Sequence, residues 1–140
     1  MQKLYRVLDV NVNRASEGVR VIEDLFRFYF ENESLTKECR ILRHNLRKTM
    51  KEVDSHLIES RDTRGDIGLS VSQKVKNDSK ESVDQLLISN FKRIQEAVRC
   101  IEEVLKVLSL YNLSKDMERI RYQSYSLEKD ISVYLKTSGS

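Results

Sequence analysis

Residues 11–24, NVNRASEGVRVIED, and residues 90–103, NFKRIQEAVRCIEE, decide the fold. Seven of the fourteen aligned positions are identical (Asn, Arg, Glu, Val, Arg, Ile, Glu), at an offset of 79 residues. A repeat of this kind marks a duplicated supersecondary unit. The apolar skeleton repeats with it. Leu8, Val12, Ala15, Val19, Ile22, Phe26 and Tyr29 step by four and three, as one stripe of an amphipathic helix does, and Leu87, Phe91, Ile94, Val98, Ile101, Leu105 and Leu108 stand at the same offset. A second match follows, shifted by one residue: LTKECRILRHN at 35–45 with LSKDMERIRYQ at 113–123. Thr36 and Ser114 are read as helix N-caps. Turns are expected near 32–34 and 111–112.

Each copy therefore reads as helix, short loop, helix. Two such hairpins bury their stripes best against each other, which predicts an all-α four-helix bundle with an approximate internal two-fold. The expected layout is a single domain over 1–140, with repeat one at about 3–58, a connecting loop at about 59–80, repeat two at about 81–136 and a flexible tail at 137–140.

Composition agrees. Of 140 residues, 39% are hydrophobic and 34% charged, there is no proline, and the four glycines are too few to punctuate many turns. No apolar run is long enough to span a membrane, and the first residues lack a signal-peptide core. Cys39 and Cys100 fall at helical apolar spacing and read as reduced, buried thiols of a cytoplasmic protein. The net charge of +3, from 25 basic and 22 acidic residues, is interleaved and argues against a nucleic-acid partner.

Some residues exceed what a core needs. Asn11 and Arg14, with their copies Asn90 and Arg93, lie on one flank of the apolar stripe, beside Gly18 and Ala97. Glu17 and Glu96 stand three residues from Arg14 and Arg93, within contact range. Arg43 and Arg121 recur in the second helices as candidates for an anion. His44 follows Arg43 but is matched by Tyr122. The connecting segment carries RDTRGDIG at 61–68. Here Arg61 and Arg64 suit phosphate oxygens, Asp62 and Asp66 suit a hydrated magnesium ion, and Thr63 adds a hydroxyl. A polar turn in which Asp and Arg neutralise each other fits the same composition.

Read together, NVNRASEGVRVIED, LRHNLR, RDTRGDIG, NFKRIQEAVRCIEE and IRYQSYSLE resemble a bacterial family of monofunctional hydroxymethylpyrimidine-phosphate kinases of thiamine biosynthesis, found alone or fused to thiamine-phosphate synthase. The resemblance covers roughly residues 4–128. It implies phosphoryl transfer from ATP to 4-amino-5-hydroxymethyl-2-methylpyrimidine phosphate, with Mg2+ as cofactor and these two compounds as partners. A homodimer or an association with thiamine-phosphate synthase is a further partner expectation. On this reading Arg61, Asp62, Arg64 and Asp66 are catalytic. Asn11, Arg14, Arg43, Thr63, Asn90, Arg93 and Arg121 grip phosphates, and Glu17, Glu96, Asp62 and Asp66 are the metal candidates. The chain lacks G-x-x-x-x-G-K-[ST], so such a kinase would do without the common phosphate loop. The acceptor's second phosphate pKa of about 6 means that no general base is needed. The 61–68 loop is expected to close over a cleft between the two flanks, and charge reversal at Arg61 to abolish turnover without loss of stability. The alternative is a non-catalytic helical binding module for another enzyme of the pathway.

Overall fold

The computed structural model describes residues 1–74 and 82–137. Among these the elements are α1 (Gln2–Asp24), a π-helical turn (Leu25–Tyr29), α2 (Glu33–Met50), a 3-10 turn (Lys51–Val53), α3 (Asp54–Ser60), α4 (Ile67–Lys74), α5 (Val83–Val107) and α6 (Tyr111–Thr137). The described residues contain no strand. The hairpins α1–α2 and α5–α6 pack as a four-helix bundle, with α1 against α5 the most extensive helix pair. The two repeated stripes form one continuous core, in which Leu8, Ala15, Phe26, Val98, Ile101 and Leu105 are fully buried.

The centre of the bundle is where α1 and α5 cross antiparallel. A Cβ on Gly18 would stand 2.9 Å from Ile94 Cγ1 and 3.3 Å from the Asn90 carbonyl oxygen. Gly18 therefore lets the two helices approach closely, while its counterpart Ala97 fits as it stands.

The hairpin turns are built alike. Glu31 (φ 53°) and Ser109 (φ 61°) both adopt the left-handed conformation. Beside them the Asn32 and Leu110 N–H groups donate to the Phe26 and Leu105 carbonyls at 2.8 and 2.9 Å, the pattern that closes a helix C-terminus. The turns thus fall slightly before the expected positions. Asn32, not Thr36, caps α2, accepting from the Leu35 N–H at 2.9 Å. Ser114 is no cap either: its hydroxyl donates to the Glu102 carbonyl at 3.0 Å and ties α6 to α5.

The one-residue shift between the two sequence matches has a structural cause. The π-turn Leu25–Tyr29 absorbs one extra residue in the first hairpin, as such turns do inside an α-helix. The offset falls from 79 to 78 across it.

The region expected as a loop at 59–80 is partly helical. Ser60 belongs to α3, and residues 67–74 form α4, which makes no substantial packing contact with another helix. The part of that expectation covering 75–80, and the tail beyond Thr137, lie outside the described residues.

Candidate functional site

Three of the four flanking Asn and Arg residues, Asn11, Arg14 and Arg93, converge on one cleft, and Asn90 is not in its lining. Asn11, Arg14 and Glu17 of α1 and Ser89, Lys92, Arg93, Glu96, Ala97 and Cys100 of α5 line a cleft of about 770 Å³. Asn11 and Asn90 are both buried and held alike. The Asn11 amide donates to the Val7 carbonyl at 2.9 Å and contacts Cys100 Sγ at 3.4 Å, and the Asn90 amide donates to the Leu86 carbonyl at 2.8 Å. Each donor is spent one turn back along its own helix, which leaves the side-chain oxygen to accept. Among the described residues Arg14, Lys92 and Arg93 have no acidic partner within 4 Å, and the anticipated Arg14–Glu17 and Arg93–Glu96 contacts are not made. Three unneutralised cations thus stand beside two unneutralised carboxylates. Lys92 escaped the sequence reading because its counterpart, Asn13, differs in type.

The recurring arginines of the second helices are engaged elsewhere. Arg121 grips Glu102 with two nitrogens, at 2.6 and 3.1 Å, and these hydrogen bonds raise its pKa. Arg43 donates to Glu23 at 3.1 Å, and Arg40 approaches the same carboxylate at 3.6 Å. Glu23 and Glu102 are each 1% exposed. A buried carboxylate needs such a partner. These pairs are symmetry-related struts between the helices of each hairpin. The signal was present in the sequence, since Glu and Arg both recur.

The 61–68 segment does not join this cleft. Arg61, Asp62, Thr63 and Asp66 line a separate cavity of about 480 Å³ with Lys3, Arg6, Val7, Asp9, Val10 and Asn13 of α1. Arg61 holds the buried Asp9 carboxylate with two nitrogens, at 2.6 and 2.8 Å, and this pairing raises its own pKa. Arg61 therefore bears a structural load that the sequence reading did not assign to it. Asp62 accepts from the Gly65 N–H and Asp66 from the Gly68 N–H, both at 2.8 Å, so each has one oxygen committed to the turn. A Cβ on Gly65 would displace the Asp62 carboxylate from its hydrogen bond to the Gly65 N–H. Arg64 is exposed. His44 lines a third cavity with Arg27, Lys37 and Arg40.

No cluster of three or more His, Cys, Asp or Glu side chains among the described residues is arranged to hold a metal ion. Glu17 and Glu96 share the central cleft, whereas Asp62 and Asp66 lie in the other cavity. The thiols differ sharply. Burial, reinforced by Glu23, pushes Cys39 up to about 12, while Cys100 is half-buried at the cleft wall.

The model of the ThiD2 family matches residues 6–130. The chain is similar to proteins named thiamine-phosphate synthase. It is 38% identical over 130 residues to one from Nostoc punctiforme, covering 93% of this chain and 36% of that protein. It is 38% identical to one from Thermosynechococcus vestitus (94% and 36% covered) and 36% identical to one from Rhodopirellula baltica (96% and 35% covered). The chain spans about a third of the length of these curated relatives. No solved structure matches it. These findings correct the expected activity. The relatives carry the name of a synthase rather than a phosphomethylpyrimidine kinase, so ATP-dependent phosphoryl transfer, with ATP and hydroxymethylpyrimidine phosphate as the paired substrates, is withdrawn. The thiamine context stands. No helix among the described residues is long and apolar enough to cross a membrane.

Proposed function

This chain belongs to the ThiD2 family, and from that premise we propose that it is an enzyme component of thiamine biosynthesis that binds a phosphate-bearing compound at the step named by its relatives, the formation of thiamine phosphate. The observation that carries the reading is the cleft between α1 and α5. Arg43, Arg61 and Arg121 are tied to buried carboxylates, whereas Arg14, Lys92 and Arg93 keep their donors free beside the accepting oxygen of Asn11. Arginine forks suit phosphate oxygens, and converging cations raise the local concentration of an anion.

Magnesium fits this site only as a hydrated ion shared with the ligand. Mg2+ usually keeps several waters and takes one or two carboxylates together with substrate phosphate. Glu17 and Glu96 supply that number; the described residues contain no all-protein cage. Both hairpins contribute to one core and one cleft, so the unit proposed to act is a single domain. Asp62, Thr63 and Asp66 belong to the neighbouring cavity and serve, on this reading, to hold the connecting segment against α1, while exposed Arg64 takes no part in either site.

The test is calorimetric titration of the folded chain with thiamine phosphate and with thiamine, each with and without Mg2+. Thiamine phosphate should bind and unphosphorylated thiamine should bind far more weakly. Arg14→Ala and Arg93→Ala should each weaken binding about ten-fold, the loss of one charge-assisted pair, without changing the far-UV spectrum. Equal affinity for both compounds, or wild-type affinity in both variants, would refute the reading.

A further inference from the structure

Two uncovered apolar surfaces lie on either side of one peptide bond. Val7 and Val10 are 37% and 36% exposed, and they line the same cavity as Asp66. Half-buried Val104 and exposed Val107 belong to the end of α5 that packs beside this end of α1. Ile67, directly after Asp66, opens α4. Ile67 and Val71 are one helical turn apart, share a face, and are 84% and 60% exposed. A helix of eight residues with a bare apolar face has little reason to be helical alone.

The topology directs that face. Arg61 and Asp9 pin the chain to the N-terminal half of α1. The chain re-enters the bundle at Ser82, the N-cap of α5. Because α1 and α5 are antiparallel, Ser82 stands beside the other end of α1. The Asn11–Arg93 cleft lies between these two anchor points.

We propose that α4 is a lid for this cleft. It turns about Asp66, seats Ile67 on the Val7–Val10 strip and carries Val71 over the Asn11–Cys100 end of the cleft. Apolar surface leaves water on both sides, and the free arginines below are shielded, which strengthens their hold on an anion. Closure is a property of the apo chain and does not depend on which ligand the cleft takes. Its role in binding rests on the function proposed above.

Cys100 provides the test, since it lines the cleft and Cys39 is buried and held protonated. Val71→Cys and Gln73→Cys are compared as separate variants of the full chain under mild oxidation, read by non-reducing electrophoresis and peptide mass. Gln73 lies on the opposite side of α4 from Val71. The lid predicts an intramolecular disulfide between position 71 and Cys100, formed at least ten-fold faster than from position 73 and slowed by Val10→Asp. Equal rates, no disulfide, or a disulfide only between two chains would overturn the lid. If the disulfide forms while thiamine phosphate fails to bind, the lid survives and the function reading falls. If the ligand binds and no disulfide forms, the reverse holds.

Discussion

In repeat one the second helix stops at Met50, kinks through Lys51–Val53 and folds back as α3 onto α1. In repeat two α6 runs unbroken from Tyr111 to Thr137. The contrast is local, because the rest of the hairpins match: the same left-handed turn residue, the same buried glutamate gripped by the second helix, the same asparagine donating one turn back. At the open end the matched positions carry different chemistry. Asp9 is buried under Arg61, and its counterpart Ile88 is 53% exposed in an apolar groove with Phe91, Tyr125 and Leu135. The fold-back buries Val53 and Leu57 and stacks His56 on Tyr5 at 4.8 Å, while the straight helix leaves that groove open. Duplication thus preserved the struts and turns, and divergence at a few positions decided which end of the bundle was closed.

The largest test of this comparison concerns the struts. Each glutamate has a second, exposed arginine at longer range, Arg99 at 3.8 Å from Glu102 and Arg40 at 3.6 Å from Glu23, but the main contact of Glu102 is shorter and more buried: Arg121 stands at 2.6 Å and is 12% exposed, against 3.0 Å and 27% for Arg43. Removing one member of a buried pair typically costs about 3–5 kcal/mol. Arg121→Ala should approach that in urea unfolding, and Arg43→Ala should cost clearly less. Equal costs would mean that the shorter, more buried Arg121 contact adds nothing over that of Arg43.

A smaller effect separates Cys39 from its counterpart Met117. Burial raises the Cys39 pKa from 9.0 to about 12, so the folded state holds its proton more tightly than the unfolded state. The stabilisation is complete below pH 9 and is lost as pH rises from 9 towards 12, at up to about 1.4 kcal/mol per pH unit. Cys39→Val should flatten the alkaline fall of Tm relative to the parent. An unchanged slope would mean that the thiol does not ionise in the unfolding equilibrium.

Smaller again is the helix crossing. Gly18→Ala forces a Cβ against Ile94, a clash worth about 1–3 kcal/mol, and recovers up to about 1 kcal/mol of helix propensity. A net loss by calorimetry is expected, and a gain would show that Ile94 moves aside freely. The least global effect is expected at the clamp. Arg61→Gln leaves Asp9 short of its charged partner and should speed hydrogen exchange in α3 and residues 61–66 with only a modest fall in Tm. Loss of all helicity would make the clamp part of the core rather than a local anchor.

Much of this was legible before any coordinates. The recurring Asn, Arg and apolar positions marked out the paired helices, their assembly as a bundle of two hairpins and the flank that carries Asn11, Arg14 and Arg93, because a duplicated amphipathic stripe has few ways to bury itself. The sequence misjudged which arginines stand free. Arg43, Arg61 and Arg121 look on paper like Arg14 and Arg93, and their partners Glu23, Asp9 and Glu102 lie 20, 52 and 19 residues away. Side chains that distant meet only when helices pack.

The sequence by itself determined an all-helical chain of two equivalent hairpins, since periodicity of 3.6 and a repeat offset are local properties. Only the tertiary structure decided where the second helix of each hairpin ends. No proline or glycine marks the kink at Lys51–Val53. It is held by burial of Val53 and Leu57, the Tyr5–His56 stack and the Arg61–Asp9 pair, contacts that exist only once α1 is in place.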